Sequence, residues 1–289
     1  MIGLLDIGGT KLAAATAAEG GLGTVVRVPT PAADPLWSLT ELLRQVTGDR
    51  RPDAVGVAAP GPFDRQHGAL LNPPGMPRAW HHFDLAAELT GRFGCPVVVE
   101  NDANCAALAE ARLGAGRADR TIVYFTVSTG IGTGVVRDGA IVRTRQDTEG
   151  GHQVLWPEWL GGPPCHCGGH GCLEALASGR AIERRFGVRA EDLDDPAAWE
   201  DIGRWLGLGA VNATALHDPD VVVYGGSVCR AWDRFAPTLL MTVAGHLFLQ
   251  PSPRIVQGSL GEERNLLGAL ELVKWSSGEG APRRRVGDR

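Results

Sequence analysis

The chain opens on an apolar run, IGLLDI at 2–7, which carries Asp6 near its end and runs into a Gly8-Gly9-Thr10 turn. Strand-like segments resume at 12–17 and 22–28, and glycine-bearing turns at 8–9 and 20–21 join the three segments as a β-meander. Leu36, Leu39, Leu42, Leu43 and Val46 recur at helical spacing and predict a helix over 35–47. AVGVAA at 54–59 reads as a buried strand stopped by Pro60-Gly61-Pro62, and 60–82 reads as loop. VVVEND at 97–102 predicts a strand ending on polar residues, followed by a helix over 103–114. A second block repeats this logic. TIVYFTVSTGIGTGVV at 121–136 is strand, glycine turn, strand, and helices are expected at 173–186 and 198–215. VVVYGGSV at 221–228 is a further strand ending in a glycine turn, with helices at 231–248 and 264–275. Because strand, glycine turn and strand open each half, the pattern predicts two α/β domains of related design with a boundary near 110–120. No short tandem repeat is visible.

Length agrees: 289 residues exceed the ~150 of an average domain. With 44% hydrophobic and 21% charged residues the chain is too apolar to be disordered. No stretch is apolar for the ~20 residues a membrane helix needs, and the N-terminus lacks the basic region and cleavage site of a signal peptide. A cytoplasmic protein without a membrane role is therefore expected, with reduced thiols unless they bind metal. A net charge of −5 argues against broad nucleic-acid binding. Lys11 and Lys274 are the only lysines, which makes Lys11 conspicuous beside the first glycine turn. Arg283, Arg284 and Arg285 fall in a Gly/Pro/Arg segment, 276–289, that reads as a solvated tail.

Three glycine turns carry candidate chemistry. Asp6-Ile7-Gly8-Gly9-Thr10-Lys11 lies between two strands, so it is neither a Walker loop nor a Rossmann turn, both of which enter a helix. Its glycines let backbone N–H groups approach anionic oxygens, Thr10 adds a hydroxyl, and Asp6 can hold Mg²⁺ directly or through water. Ser128-Thr129-Gly130-Ile131-Gly132-Thr133-Gly134 is a second such turn, and Gly225-Gly226-Ser227 a third. Singly each reads as an ordinary turn; as an ordered set they suit a polyphosphate. Cys165, Cys167 and Cys172 crowd a Gly/Pro-rich loop, 150–172, that cannot build a core. With one imidazole they make a closed tetrahedral zinc set, for which His152, His166 and His170 compete. Cys95, Cys105 and Cys229 lie in apolar surroundings and read as core.

The order DIGGTK, VVENDANCAALAEA, FTVSTGIGTG, EGGH, CHCGGHGCLEALASG and YGGSV resembles the ROK family of sugar kinases and sugar-responsive repressors, from residue 2 to about 275. The resemblance implies an actin-like ATPase (RNase-H-like) fold, two α/β domains around a cleft: 1–112 joined by helix 264–275, and 113–263. It implies transfer of the γ-phosphoryl of MgATP to a hexose hydroxyl, glucose first, with N-acetylglucosamine, N-acetylmannosamine, mannose, fructose and allose as alternatives. Asp102 matches the family's catalytic Asp and Asn101 its sugar-binding Asn; the competing reading of Asp102 is a helix N-cap. Glu149 and Glu174 match acidic residues that bind sugar hydroxyls, and Gly61 falls in the sugar-side loop. The family's ExGH pattern selects His152 as the fourth ligand of a structural zinc, with its other ring nitrogen toward the sugar. Phosphates would lie between residues 8–11 and 128–134, adenosine near Gly225-Gly226. Repressors of the family carry a DNA-binding module ahead of the DIGGT segment, which here begins at residue 2, so a DNA-binding role is not expected. A homodimer or homotetramer is implied. Two departures stand out. The segment 153–164 is longer than usual and carries Trp156 and Trp159, and Asn265 replaces a small residue, with a slight effect expected.

Overall fold

The structure is a computed structural model that describes residues 1–278 apart from 19, 20, 49, 144 and 146. The Arg-rich segment beyond 278 and part of the expected 20–21 turn lie outside the described residues. The chain forms two units, Met1–Ala109 with the chain from Glu263, and Glu110–Glu262.

In the first unit the opening apolar run becomes β1 (Ile2–Ile7), which pairs antiparallel with β2 (Lys11–Ala18); the short strands β3 (Gly21–Leu22) and β4 (Val26–Pro29) both pair with β2. Helix α1 (Pro35–Thr47) starts where predicted: Asp34 accepts the Trp37 N–H at 3.0 Å and Pro35 takes the first position, where a missing N–H costs nothing. β5 (Ala54–Ala59) returns parallel to β1. A small hairpin of β6 (Phe63–Asp64) and β7 (Ala69–Leu70) follows, then α2 (Leu85–Phe93), β8 (Val97–Asn101) parallel to β5, and α3 (Asp102–Arg112), which ends in the second unit. Periodicity did not predict α2, because only Leu85 and Leu89 anchor its buried face. The sheet order is β3-β2-β1-β5-β8.

Strand alternation gives this sheet two cores. Leu5, Ile7, Val55 and Val57 face α1, α2 and the buried Trp80; Leu4, Ala13, Ala15 and Ala58 face Cys105 of α3 and Leu266, Ala269 and Leu270 of the last helix. The second face is lined with alanines, so helices approach closely. A Cβ on Gly268 would lie 1.9 Å from the Cys105 carbonyl oxygen, which requires glycine at this crossing. Trp80 is core, its Nε1–H donating to the Pro31 carbonyl at 2.9 Å.

The second unit repeats the plan. β9 (Thr121–Val127) pairs antiparallel with β10 (Ile131–Arg137), which pairs with β11 (Ala140–Ile141). The helix expected over 173–186 is two, α4 (Leu173–Ala177) and α5 (Gly179–Phe186). Ser178 separates them and accepts the Ala181 N–H at 3.1 Å as the cap of α5. α6 (Pro196–His217) precedes β12 (Val221–Gly225), α7 (Trp232–His246) and the edge strand β13 (Arg254–Gln257), and α8 (Arg264–Ser276) closes the chain in the first unit. The order β11-β10-β9-β12-β13 matches the path β3-β2-β1-β5-β8 of the first unit, which carries β4 in addition, and in both only the second strand of the unit's opening hairpin runs antiparallel to the first. Phe125, Val222, Tyr224, Trp199, Leu206, Phe235 and Leu239 form its main core. Cys95, Cys105 and Cys229 are buried, as expected.

Candidate active site

The first unit gathers polar side chains at the C-terminal ends of β1 and β8, where α/β sheets carry their chemistry. At β8 the helix cap belongs to Asn101, not Asp102. Asn101 Oδ1 accepts the N–H groups of Ala103 at 2.9 Å and Asn104 at 3.1 Å, the second and third positions of α3. Asp102 is the first helical residue, half-buried, and shares the Ala103 N–H through Oδ1 at 2.8 Å. Behind them Glu100 has no exposed surface. Its carboxylate accepts the Asn101 N–H at 2.9 Å, the Asn104 amide at 3.1 Å and the Arg65 guanidinium at 3.0 Å. A buried carboxylate is tolerable only when satisfied in this way. Arg65 and Asn104 were missed in the sequence. Asn104 had a signal, four residues after Glu100 at helical spacing; Arg65 reaches across from the β6–β7 hairpin and had none. Gly61, on the loop after β5, is half-buried.

At β1, burial pushes the Asp6 carboxyl above its ordinary pKa, while a hydrogen bond from Asn265 and the charges of Arg264, Lys11 and Arg27 pull it down. Asn265 Nδ2 donates to Asp6 Oδ1 at 3.0 Å, so the substitution expected to have a slight effect meets the carboxylate expected to hold Mg²⁺. The turn that follows is held from within: the Gly8 N–H reaches the Lys11 carbonyl at 3.0 Å, and Thr30 Oγ1 donates to the Gly8 carbonyl at 2.6 Å. Gly9, Thr10 and Lys11 are exposed.

In the second unit four expected ligands converge. His152 Nδ1 and the sulfurs of Cys165, Cys167 and Cys172 all lie within 4.8 Å of one another, with Cys165 Sγ 3.6 Å from His152 Nδ1 and Cys167 Sγ 3.8 Å from Cys172 Sγ. A tetrahedron around zinc has ligand–ligand edges of roughly 3.5–3.8 Å, so the donor set fits that ion. Burial and neighbouring sulfurs push Cys172 up to about 12 and raise Cys165. Cys167 falls below its ordinary value, because the Gly169 N–H and the other two thiols outweigh burial. A zinc ion bound here would hold the sulfurs as thiolates. Of the rival imidazoles, His166 pairs through Nδ1 with Glu174 Oε1 at 2.7 Å, and these two form with His152 a second group of donor atoms within 4.8 Å of one another; His170 Nδ1 lies 3.9 Å from Glu158 Oε2.

Glu174 ties this centre to the second glycine turn. Its Oε2 accepts the Ile131 N–H at 2.8 Å, and a Cβ on Gly130 would stand 2.5 Å from that oxygen. Gly130 is therefore glycine to admit a carboxylate. Glu149 is an exposed residue whose carboxyl is partly desolvated; that desolvation, with Asp147 and Glu174 nearby, raises its pKa against the pull of His152. The long 153–164 segment folds on itself. Trp156 stacks on Trp205 at 5.8 Å between centroids, while Trp159 stays 83% exposed.

A separate pocket in this unit is lined by Thr129, Gly179, Arg180, Glu183, Arg189 and Ser227, among others. Ser128 organises it: its carbonyl accepts the Gly179 N–H at 2.7 Å, and its hydroxyl accepts the Ser227 N–H at 3.1 Å. Thr129 was expected here, and Gly225 and Gly226 lead into Ser227. The α5 contribution was missed, because Arg180 and Glu183 look like ordinary helix-surface charges.

Comparison with known proteins bears on all of this. The ROK family model matches residues 2–276. A glucokinase of Thermotoga maritima is 32% identical, over 93% of this chain and 96% of its own length. The crystal structure of a ROK hexokinase from Thermus thermophilus superposes with a TM-score of 0.84 at 36% identity, covering 96% of this chain and 99% of that one. A ROK family glucokinase from Streptomyces griseus, in complex with glucose and AMPPNP, gives 0.81 at 28% identity, over 94% and 98%.

Proposed function

The chain belongs to the ROK family, and from that premise we propose that it is an ATP-dependent hexose kinase that converts glucose to glucose 6-phosphate. Its fold is the actin-like ATPase fold. The observation that carries the residue assignment is the division of labour at the end of β8, where Asn101 makes the cap and Asp102 does not.

A sugar hydroxyl is a poor nucleophile at neutral pH. It needs to be placed in line with the γ-phosphorus and to lose its proton as the new bond forms. In this reading the C6 oxygen attacks the γ-phosphorus, the bond to the β-phosphate oxygen breaks, ADP leaves, and Asp102 takes the hydroxyl proton. Asn101 has its Oδ1 committed to the cap and offers Nδ2 to the sugar. Glu149, Glu174 and His152 take further hydroxyls, and Gly61 brings backbone near the ring. The Gly8, Gly9, Thr10 and Lys11 turn and the Thr129–Gly130 turn meet phosphates. The pocket lined by Thr129, Arg180 and Ser227, next to Gly225 and Gly226, takes the nucleoside.

Asp6 suits Mg²⁺, a hard cation that takes one or two protein carboxylates and completes its shell with water and phosphate oxygens. When bound, Mg²⁺ neutralises charge on the phosphates. Zinc on His152, Cys165, Cys167 and Cys172 would be structural, since four protein ligands leave no open position. His152 Nδ1 faces the thiols, which leaves Nε2 for a hydroxyl. Family membership also implies a homodimer or homotetramer, which light scattering reads directly.

The test is coupled ADP release over a panel of glucose, mannose, fructose, allose, N-acetylglucosamine and N-acetylmannosamine. The reading expects ATP-dependent turnover with glucose as the best substrate. A preference for an N-acetylhexosamine would move the substrate, and no turnover on any sugar would overturn the activity.

A further inference from the structure

Asn265 stands where the family resemblance led us to expect a small residue, and the structure gives it a partner. It is the second residue of α8, and its Nδ2 donates to Asp6 Oδ1 at 3.0 Å. Both ends of this bond are anchored. β1 is central in its sheet, between β2 and β5, and α8 packs against that sheet through Leu266, Ala269 and Leu270, with the Ala269 carbonyl against Gly56 of β5. The Asp6 carboxylate has no other hydrogen-bond partner among the described residues. One oxygen is thus fixed and the other is not. A small residue at 265 would leave the carboxylate free to rotate about its terminal torsion, which is broad and roughly two-fold.

We propose that Asn265 is a positioning residue for Asp6: its amide holds Oδ1, so that Oδ2 is the oxygen presented to the cation that accompanies the nucleotide. The proposal rests on the reading of Asp6 as the Mg²⁺ residue. An amide nitrogen suits the task because it donates and cannot itself ligate the cation.

Calorimetric titration of the full-length protein with AMPPNP, with and without Mg²⁺, tests this apart from turnover. In Asn265→Ala the Mg²⁺-dependent gain in affinity should fall by about tenfold, the order expected for a hydrogen bond to a charged group. Asn265→Asp, which keeps the shape and loses the donor, should lose at least as much. Affinities for metal-free AMPPNP and for glucose should hold in both. An unchanged gain in the two variants, with the gain abolished in Asp6→Asn, overturns the positioning role alone. A gain that survives Asp6→Asn overturns the Mg²⁺ reading of Asp6 and this proposal with it. Parallel loss of metal-free nucleotide and glucose affinity in Asn265→Ala overturns it in favour of a structural role.

Discussion

Asn101 and Asp102 are adjacent, chemically close and both at a helix start, yet the hydrogen bonds separate their tasks. Sequence alone left Asp102 with two readings, because either residue type caps helices well. The structure gives the cap to Asn101, which leaves the base reading of Asp102 to kinetics, and a boundary of one residue is beyond what periodicity resolves. Asp6 shows a different conflict. Its buried carboxyl has a raised pKa, so the folded state holds its proton to higher pH than the unfolded chain does. The ionised form therefore costs stability at neutral pH, and the cost disappears as pH falls through the raised folded-state value. Asp6→Asn should accordingly melt on the order of 2–4 °C higher than the parent at neutral pH, while losing its Mg²⁺-dependent nucleotide affinity. That advantage should shrink on acidification toward the ordinary carboxylate range; melting curves from neutral to weakly acidic pH check both statements. Equal melting temperatures at all pH values would mean that Asn265 and the nearby cations already offset the burial.

At the scale of elements, the proposed zinc would hold the loop 150–172, and a buried carboxylate holds the end of α3. Cys167→Ser, or treatment with a strong chelator, should release the metal, loosen 150–172 and raise the KM for sugar more than it lowers kcat. Metal analysis with proteolysis of that loop reads the effect, and protein purified without chelator that holds no zinc would contradict it. Glu110 is a second such centre, 1% exposed, accepting the N–H groups of Ala115 at 2.8 Å, Ser259 at 3.2 Å and Leu260 at 3.1 Å. Glu110→Ala strands these donors and should destabilise the protein by about 3 kcal/mol, measurable by denaturant unfolding. The apolar spine of the fold was legible: α1, β5 and α8 lie within a residue of their expected places, because each carries an uninterrupted period and a clear stop. α2 and β13 were not, since two buried leucines and the tetrapeptide RIVQ between Pro253 and Gly258 carry too little pattern. The break at Ser178 was hidden because apolar residues continue through it, and only its cap reveals it.

For the molecule as a whole, the two sheets share one strand order, and the strand–turn–strand opening of each half was the sequence's sign of it. Candidate site residues were legible where they sit on contiguous motifs: Asp6 to Lys11, Asn101 with Asp102, and Cys165 to Cys172. The site was illegible where partners meet only through folding, as Arg65 with Glu100, His166 with Glu174, and Asn265 with Asp6. The central claim is that Asp102 takes the hydroxyl proton while its neighbours bind the sugar, and one comparison tests it most directly. Steady-state turnover of the best hexose and calorimetric sugar affinity are measured for the parent and for Asp102→Asn. The account predicts a kcat lower by roughly 10²–10⁴-fold with sugar affinity little changed, the usual size of general-base catalysis. A kcat near that of the parent would contradict it and reduce Asp102 to a residue of the helix start.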